Sequence, residues 1–285
     1  MLLGHEKLIE DFKKLVLDGN LSNGYLFFGQ PRVGKRIFAE CLANFLETGE
    51  FAEPKNLTDF LLIKPDEKGT IGIDEMRKLR NFLWQKPFAS KRRTAVIDCS
   101  EAMTGDAQNA ILKIAEEPPE SSLLIIIVSD YERLWPTLQS RLQKIYFAPV
   151  VKTLIEKWLK ETAKCKADDA KKFAEASFGQ PGLALMMASD ENFKLLRQSA
   201  EKFLKSGFWD RRNVIKAMLE DEKFNMSGFL EAILILLSSF DFAPSTKLGT
   251  SHDKKNADLW HKVSALRRDS ESYNINPRLQ LEALL

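Results

Sequence analysis

The chain has 285 residues, 42 Lys and Arg against 40 Asp and Glu, and is 44% apolar and 29% charged. Apolar content near half, with 14 glycines and 11 prolines, excludes disorder and fibrous repeats, and the length allows two or three ordinary cores. The net charge of +2 excludes a basic coat, so any nucleic-acid contact must come from a local patch or through partners.

Glu6–Leu17 has helical apolar spacing, with Leu8, Ile9, Phe12, Leu15 and Val16 on one side. Tyr25–Phe28 is a short apolar run ended by Gly29 and predicts a buried strand. Helical periodicity returns over Lys35–Leu46. Asp59–Ile63 predicts a second strand, and Asp74 is placed to cap a helix carrying Met76, Leu79, Phe82 and Leu83 inward. Thr94–Ile97 predicts a third strand. A helix over Asp106–Ala115 is stopped by Pro118 and Pro119. Leu123–Val128 is wholly aliphatic, which suits a central strand of a parallel sheet. Alternation of this kind predicts a doubly wound α/β sheet over residues 1–148. After Pro149 the strand signal ends: 149–191 reads as a small helical unit around Gly179–Gly182, and 192–285 as a larger helical unit with a polar loop over Asp241–Lys255.

Cys41, Cys99 and Cys165 form no C-x-x-C pair, which excludes a zinc knuckle and a disulfide framework. The start, MLLGHEKL, has no apolar stretch behind a basic one, and the longest aliphatic runs, Leu123–Val128 and Ala232–Leu237, are six residues each. A reduced, cytoplasmic protein without membrane contact is expected.

The sharpest local signal is Gly29-Gln-Pro-Arg-Val-Gly34-Lys35-Arg36, directly after a strand and opening a helix. This is the G-x-x-x-x-G-K phosphate loop, whose backbone amides curl around phosphate oxygens while the lysine reaches the β/γ-phosphates. The Ser or Thr that normally ends the motif and holds Mg²⁺ is Arg36, which has no acceptor and repels a metal. Nucleotide binding without ordered magnesium is therefore expected, and hydrolysis is not. Asp98, ending the third strand, reads alone as a turn or helix cap and, paired with the loop, as a Walker-B acid. The glutamate that usually follows is Cys99, and Glu101 is expected to stand away from that point.

These residues, with Asn109–Lys113 (NAILK), Glu116–Pro119 (EEPP) and Thr137–Arg141 (TLQSR), resemble the AAA+ clamp-loader subunits of bacterial DNA polymerase III over nearly the whole chain. The resemblance is strongest to the delta-prime kind, on the G-K-R loop ending and on Asn274–Arg278. It implies a AAA+ P-loop domain, a small helical lid and a helical collar. It also implies that Arg141 reaches nucleotide on a neighbouring subunit as an arginine finger, with Leu142 where the family's Ser-Arg-Cys motif has Cys. Ser129 matches the sensor-1 position and Gly179–Gly182 the turn opening the sensor-2 helix, whose arginine is missing. The four-Cys zinc module carried by many relatives has no counterpart in Glu47–Thr58, so zinc is not expected. Implied partners are the gamma/tau motor subunit, the delta subunit and, through the complex, the sliding clamp and primed DNA; ATP binding is expected to be weak or vestigial.

Other readings stand beside these. Lys91–Arg93 reads either as a solvated turn or as a small contact to a phosphate backbone. Trp84, Trp158, Trp209 and Trp260 lie in helical patterns and read as core or interface. His5 is a candidate lining residue of a nucleotide pocket. Glu116 and Glu117 end a helix, where a carboxylate opposes the dipole and invites a nearby cation. For function, a self-sufficient ATPase stands as the alternative to a non-motor subunit, and a plain nucleotide-binding regulatory module as a third reading.

Overall fold

In the computed structural model, which describes residues 2–220, 225–238, 258–267, 281, 282 and 284, the chain divides into two compact units. The first, Met1–Ile155 with Gly179–Gly182, is built on a parallel sheet in the order β2-β3-β4-β1-β5. Its strands are β1 (Gly24–Phe28), β2 (Phe60–Ile63), β3 (Arg93–Ile97), β4 (Ser122–Ile127) and β5 (Gln143–Tyr146). Because side chains alternate across a strand, the aliphatic runs split between two faces. Leu26, Leu124 and Ile126 pack with Met76, Leu79, Ile111 and Ile114 from α3 (Ile73–Leu83) and α4 (Gly105–Glu116). Tyr25, Phe27, Leu123 and Ile125 pack with Phe12 of α1 (Glu6–Leu17), Phe38 of α2 (Lys35–Thr48) and Phe147. That second face is an aromatic cluster, with Phe27 edge-on to Phe38 at 5.7 Å and tilted against Phe147 at 5.0 Å.

Every position of β4 is buried and the strand is central, as its composition requires. Two details differ from the sequence reading. The cap position of α3 is Gly72; Asp74 lies inside the first turn and pairs with Arg77 at 2.7 Å. Strand β5 and the single turn α5 (Pro136–Gln139) carried no readable pattern, since β5 is a four-residue edge strand whose side chains are mostly exposed.

The basic run Lys91–Arg93 is mostly structural. Arg93 stacks 4.7 Å over Phe82 and lies 3.7 Å from Asp59, while Arg92 donates to the carbonyls of Ser22 and Ser122. Asp59 is buried and accepts from the amides of Phe88, Ala89 and Ser90. Burial pushes its carboxyl up, but those amides and Arg93 outweigh this and hold it below the usual carboxylate range.

The second unit, Glu156–Phe178 with Leu183–Leu285, is helical among its described residues. It contains most of α6 (Lys152–Thr162), α7 (Ala167–Ala176) and α8 (Pro181–Ser189), then α9 (Glu191–Lys205), α10 (Phe208–Leu219), α11 (Met226–Ser238) and the helical stretch 258–267. Asp190 caps α9 by accepting from the amides of Asn192 and Phe193. Phe229, Ile233, Leu236 and Leu237 of α11 are buried with Phe193, Phe203 and Ile215. Glu231, nearly buried on α11, is paired with Arg267 at 3.4 Å. Of the four tryptophans read as core or interface, Trp158 is buried; Trp84, Trp209 and Trp260 are exposed, so the core reading does not hold for them. The loop Asp241–Lys255 and the segment Asn274–Arg278 lie outside the described residues. Among those described, no helix is long and apolar enough to cross a membrane.

Candidate functional site

Chain order and sheet order part company around β1 and β4: β1 leads away to edge strand β2, while β4 leads past β1 to β5. In open α/β sheets, ligands bind beyond the carboxyl ends of strands at such a point. Three predicted residues converge there: Gly29 follows β1, Asp98 follows β3 and Ser129 follows β4.

The loop after β1 is shaped by glycine where glycine is needed. Gly29 has φ 136°, and a Cβ on it would sit 2.4 Å from the Phe147 carbonyl oxygen. Gly34, with φ 108°, caps α2, whose first amides have no intrahelical partner and are the groups offered to a phosphate. The loop's carbonyls are engaged elsewhere. Lys35 Nζ donates to Gly29 O at 2.5 Å and Gln30 O at 2.7 Å, the Gly182 amide donates to Arg32 O at 3.1 Å, and His5 Nε2 lies 2.9 Å from Val33 O. The predicted turn Gly179–Gly182 thus meets the phosphate loop directly, and Gly182 fits there because a Cβ would press on Arg32 at 3.0 Å. His5 is packed on the loop and edge-on to Phe147 at 5.0 Å.

Lys35 is only 6% exposed. Burial pulls its ammonium down to about 8, against the opposing pull of Glu101, Asp98 and Cys99. Glu101 thus lies at the edge of this site, beside Ser129. Cys99 takes a left-handed conformation (φ 52°) that starts a short 3₁₀ turn over Ser100–Ala102, and Glu101 Oε1 accepts from the Ser129 amide at 2.7 Å. Nothing in the sequence signals this, because a cysteine is not the residue expected at positive φ. Cys99 is exposed at the surface; desolvation by its surroundings and the charges of Asp98 and Glu101 push its thiol up to about 11, so the protonated form is favoured.

Arg36 and Asp98 occupy the two positions that ordinarily share a magnesium ion. Arg36 Nη1 lies 3.6 Å from Asp98 Oδ2 and its Nε 3.3 Å from Glu40 Oε1. A divalent ion there would face a guanidinium of like charge that already occupies Asp98 and has no acceptor to offer. These residues do not fit magnesium. Among the described residues, no group of three or more His, Cys, Asp or Glu is placed to hold a metal ion.

Arg141 stands elsewhere. Gln143 pairs in register with Tyr25, which puts Arg141 at the amino end of β1, opposite the phosphate loop. The five residues of β1 rise about 17 Å, so Arg141 is remote from its own chain's loop. It donates from Nη1 to Thr137 O and from Nη2 to Glu116 Oε1, both at 2.6 Å. That ion pair supplies the cation that the end of α4 called for. Ser140 Oγ donates to Thr137 O at 3.0 Å, and Leu142 is buried against Gly24. Arg141, Arg92, Asn23, Gly24 and Glu120 line a hollow of about 500 Å³ at this edge.

Residues 4–151 match the sequence model of a family described as "DNA polymerase III, delta subunit". A stretch of 155 residues is 28% identical to DNA polymerase III subunit delta' of Escherichia coli, covering 53% of this chain and 46% of that protein. Another of 154 residues is 29% identical to DNA polymerase III subunit gamma/tau of Mycobacterium bovis, covering 49% of this chain and 27% of that protein. The matches thus span less than half the length of either relative. A DNA polymerase III gamma subunit-related protein of Thermotoga maritima has the same fold, with a TM-score of 0.60 at 20% identity over 97% of this chain and 96% of the other.

Proposed function

The chain belongs to the DNA polymerase III delta-subunit family, and from that premise we propose that it is a non-motor, delta-prime-like subunit of a clamp loader. In this reading residues 1–148 are a AAA+ nucleotide-binding-like domain, 149–191 a small helical lid and 192–285 a collar that assembles with other subunits. It docks beside a gamma/tau motor subunit and a delta subunit. Through that complex it helps to place the sliding clamp on primed DNA.

The observation that carries the reading is the contrast between the two ends of the sheet. At the carboxyl end the residues that should hold magnesium are paired with each other, Arg36 with Asp98. At the amino end Arg141 faces outward, 34% exposed and held by a half-exposed carboxylate. An arginine presented to a neighbour's γ-phosphate stabilises charge that develops during transfer, an effect worth orders of magnitude in rate. Gly29, Gly34, Lys35, Arg36, Asp98 and Ser129 form the chain's own nucleotide-site remnant. Any ATP there is held by the α2 amides and Lys35 and is not turned over.

The test is ATP turnover by the chain alone, then mixed with its motor and delta subunits. Silence alone and stimulation in the mixture are expected, with loss of most of the stimulation in Arg141→Ala. A mixture indifferent to Arg141→Ala overturns the finger assignment. The alternative, a self-sufficient ATPase, is favoured by one observation, the approach of Glu101 to Lys35 and Ser129. Turnover by the isolated chain that disappears in Glu101→Gln would establish it.

A further inference from the structure

The hydroxyl after a phosphate-loop lysine and the acid closing the third strand ordinarily hold one metal ion between them. Here each has another partner. Asp98 Oδ2 faces the Arg36 guanidinium at 3.6 Å, and Asp98 Oδ1 accepts from the Cys99 amide at 3.0 Å. Glu40, one turn along α2, lies 3.3 Å from Arg36 Nε and fixes the guanidinium from its other side. A cation of the chain's own is thus fixed where the metal's charge would be, and it has donors but no acceptor to offer a metal.

The same geometry leaves the site open to an anion. Lys35 Nζ is held by two carbonyls, neutral acceptors that a phosphate oxygen outcompetes as a charge-assisted partner. The Arg36 side chain is 44% exposed, so donors beyond those spent on Asp98 and Glu40 remain reachable. A magnesium-complexed nucleotide would bring a second cation to the place that Arg36 fills; a free one brings negative charge that Lys35, the α2 amides and the part of Arg36 not offset by Asp98 and Glu40 accept.

We propose that Arg36 replaces the metal, and that this loop binds a nucleoside di- or triphosphate as the free, magnesium-less anion. This rests on the reading of the loop as a nucleotide site, and it assigns that site its ligand form.

The experiment is calorimetric titration of the full chain with ADP and with ATP, in magnesium and in EDTA. Binding in EDTA is expected to equal or exceed binding in magnesium. Magnesium that tightens binding by about tenfold or more overturns the proposal, as does an absence of binding under both conditions. Arg36→Thr, whose thermal melting shows whether it folds, restores the usual hydroxyl. It is expected to lose about tenfold in affinity in EDTA relative to the parent chain; an unchanged affinity in EDTA overturns the role given to Arg36. None of these results touches the Arg141 assignment, which is read by stimulation of the motor subunit.

Discussion

At the carboxyl end of the sheet Arg36 is gripped by two carboxylates of its own chain and stands over its own phosphate loop. At the amino end Arg141 is tied to Glu116 and to the Thr137 carbonyl, both on the surface, and borders an open hollow. The same side chain serves two purposes because its surroundings differ. Arg36 stands between two carboxylates at 3.3 and 3.6 Å, so its own chain already offsets part of its charge. One half-exposed carboxylate gives a bond of about 0.2–1 kcal/mol, cheap to exchange for a phosphate. What separates the two arginines is their place on the sheet, one over the chain's own phosphate loop and one at the opposite edge.

The comparison is sharpened most by Gly29→Ala. With φ at 136° and the Phe147 carbonyl 2.4 Å from the new Cβ, this variant is expected to lose about 4 kcal/mol. Urea unfolding checks it, and a loss below about 1 kcal/mol would mean that the loop is free to reshape. Next is Asp59→Asn at the amino end, expected to cost about 3 kcal/mol because Arg93 and three backbone amides lose their carboxylate. Asp59's folded pKa is depressed, so its contribution is complete above the ordinary carboxylate range and is lost as pH falls through the folded value. The stability gap between the parent chain and Asp59→Asn is therefore expected to narrow in acid, and a gap independent of pH would remove the carboxylate from the account. The smallest effect belongs to Glu116→Gln, expected to change stability by about 0.5 kcal/mol while freeing Arg141. Stimulation of the motor subunit should then hold or rise; a fall would show that Glu116 aims the arginine rather than parking it.

Much of this was legible in the sequence. Apolar runs marked four of the five strands, most plainly central β4, which is buried at every position. The phosphate loop was readable because its spacing and glycines carry their own mechanism. Strand β5 was not, being short, polar and on the edge. Its pairing with β1 decides where Arg141 stands, so the motif was visible and its location was not. Glu101 was missed for a related reason. A left-handed Cys99 turns the chain back, and no residue preference announces it.

The sequence by itself determined the alternation of strand and helix, the phosphate loop and the loss of its hydroxyl, because these depend on the local order of residue types. Only the tertiary structure decided that Arg36 meets Asp98, that Glu101 holds Ser129 and that Arg141 lies at the far end of β1. Each of those depends on strand order, and strand order is set by how the two faces of the sheet are covered. A local pattern cannot encode which strands become neighbours; burial of both faces at once does.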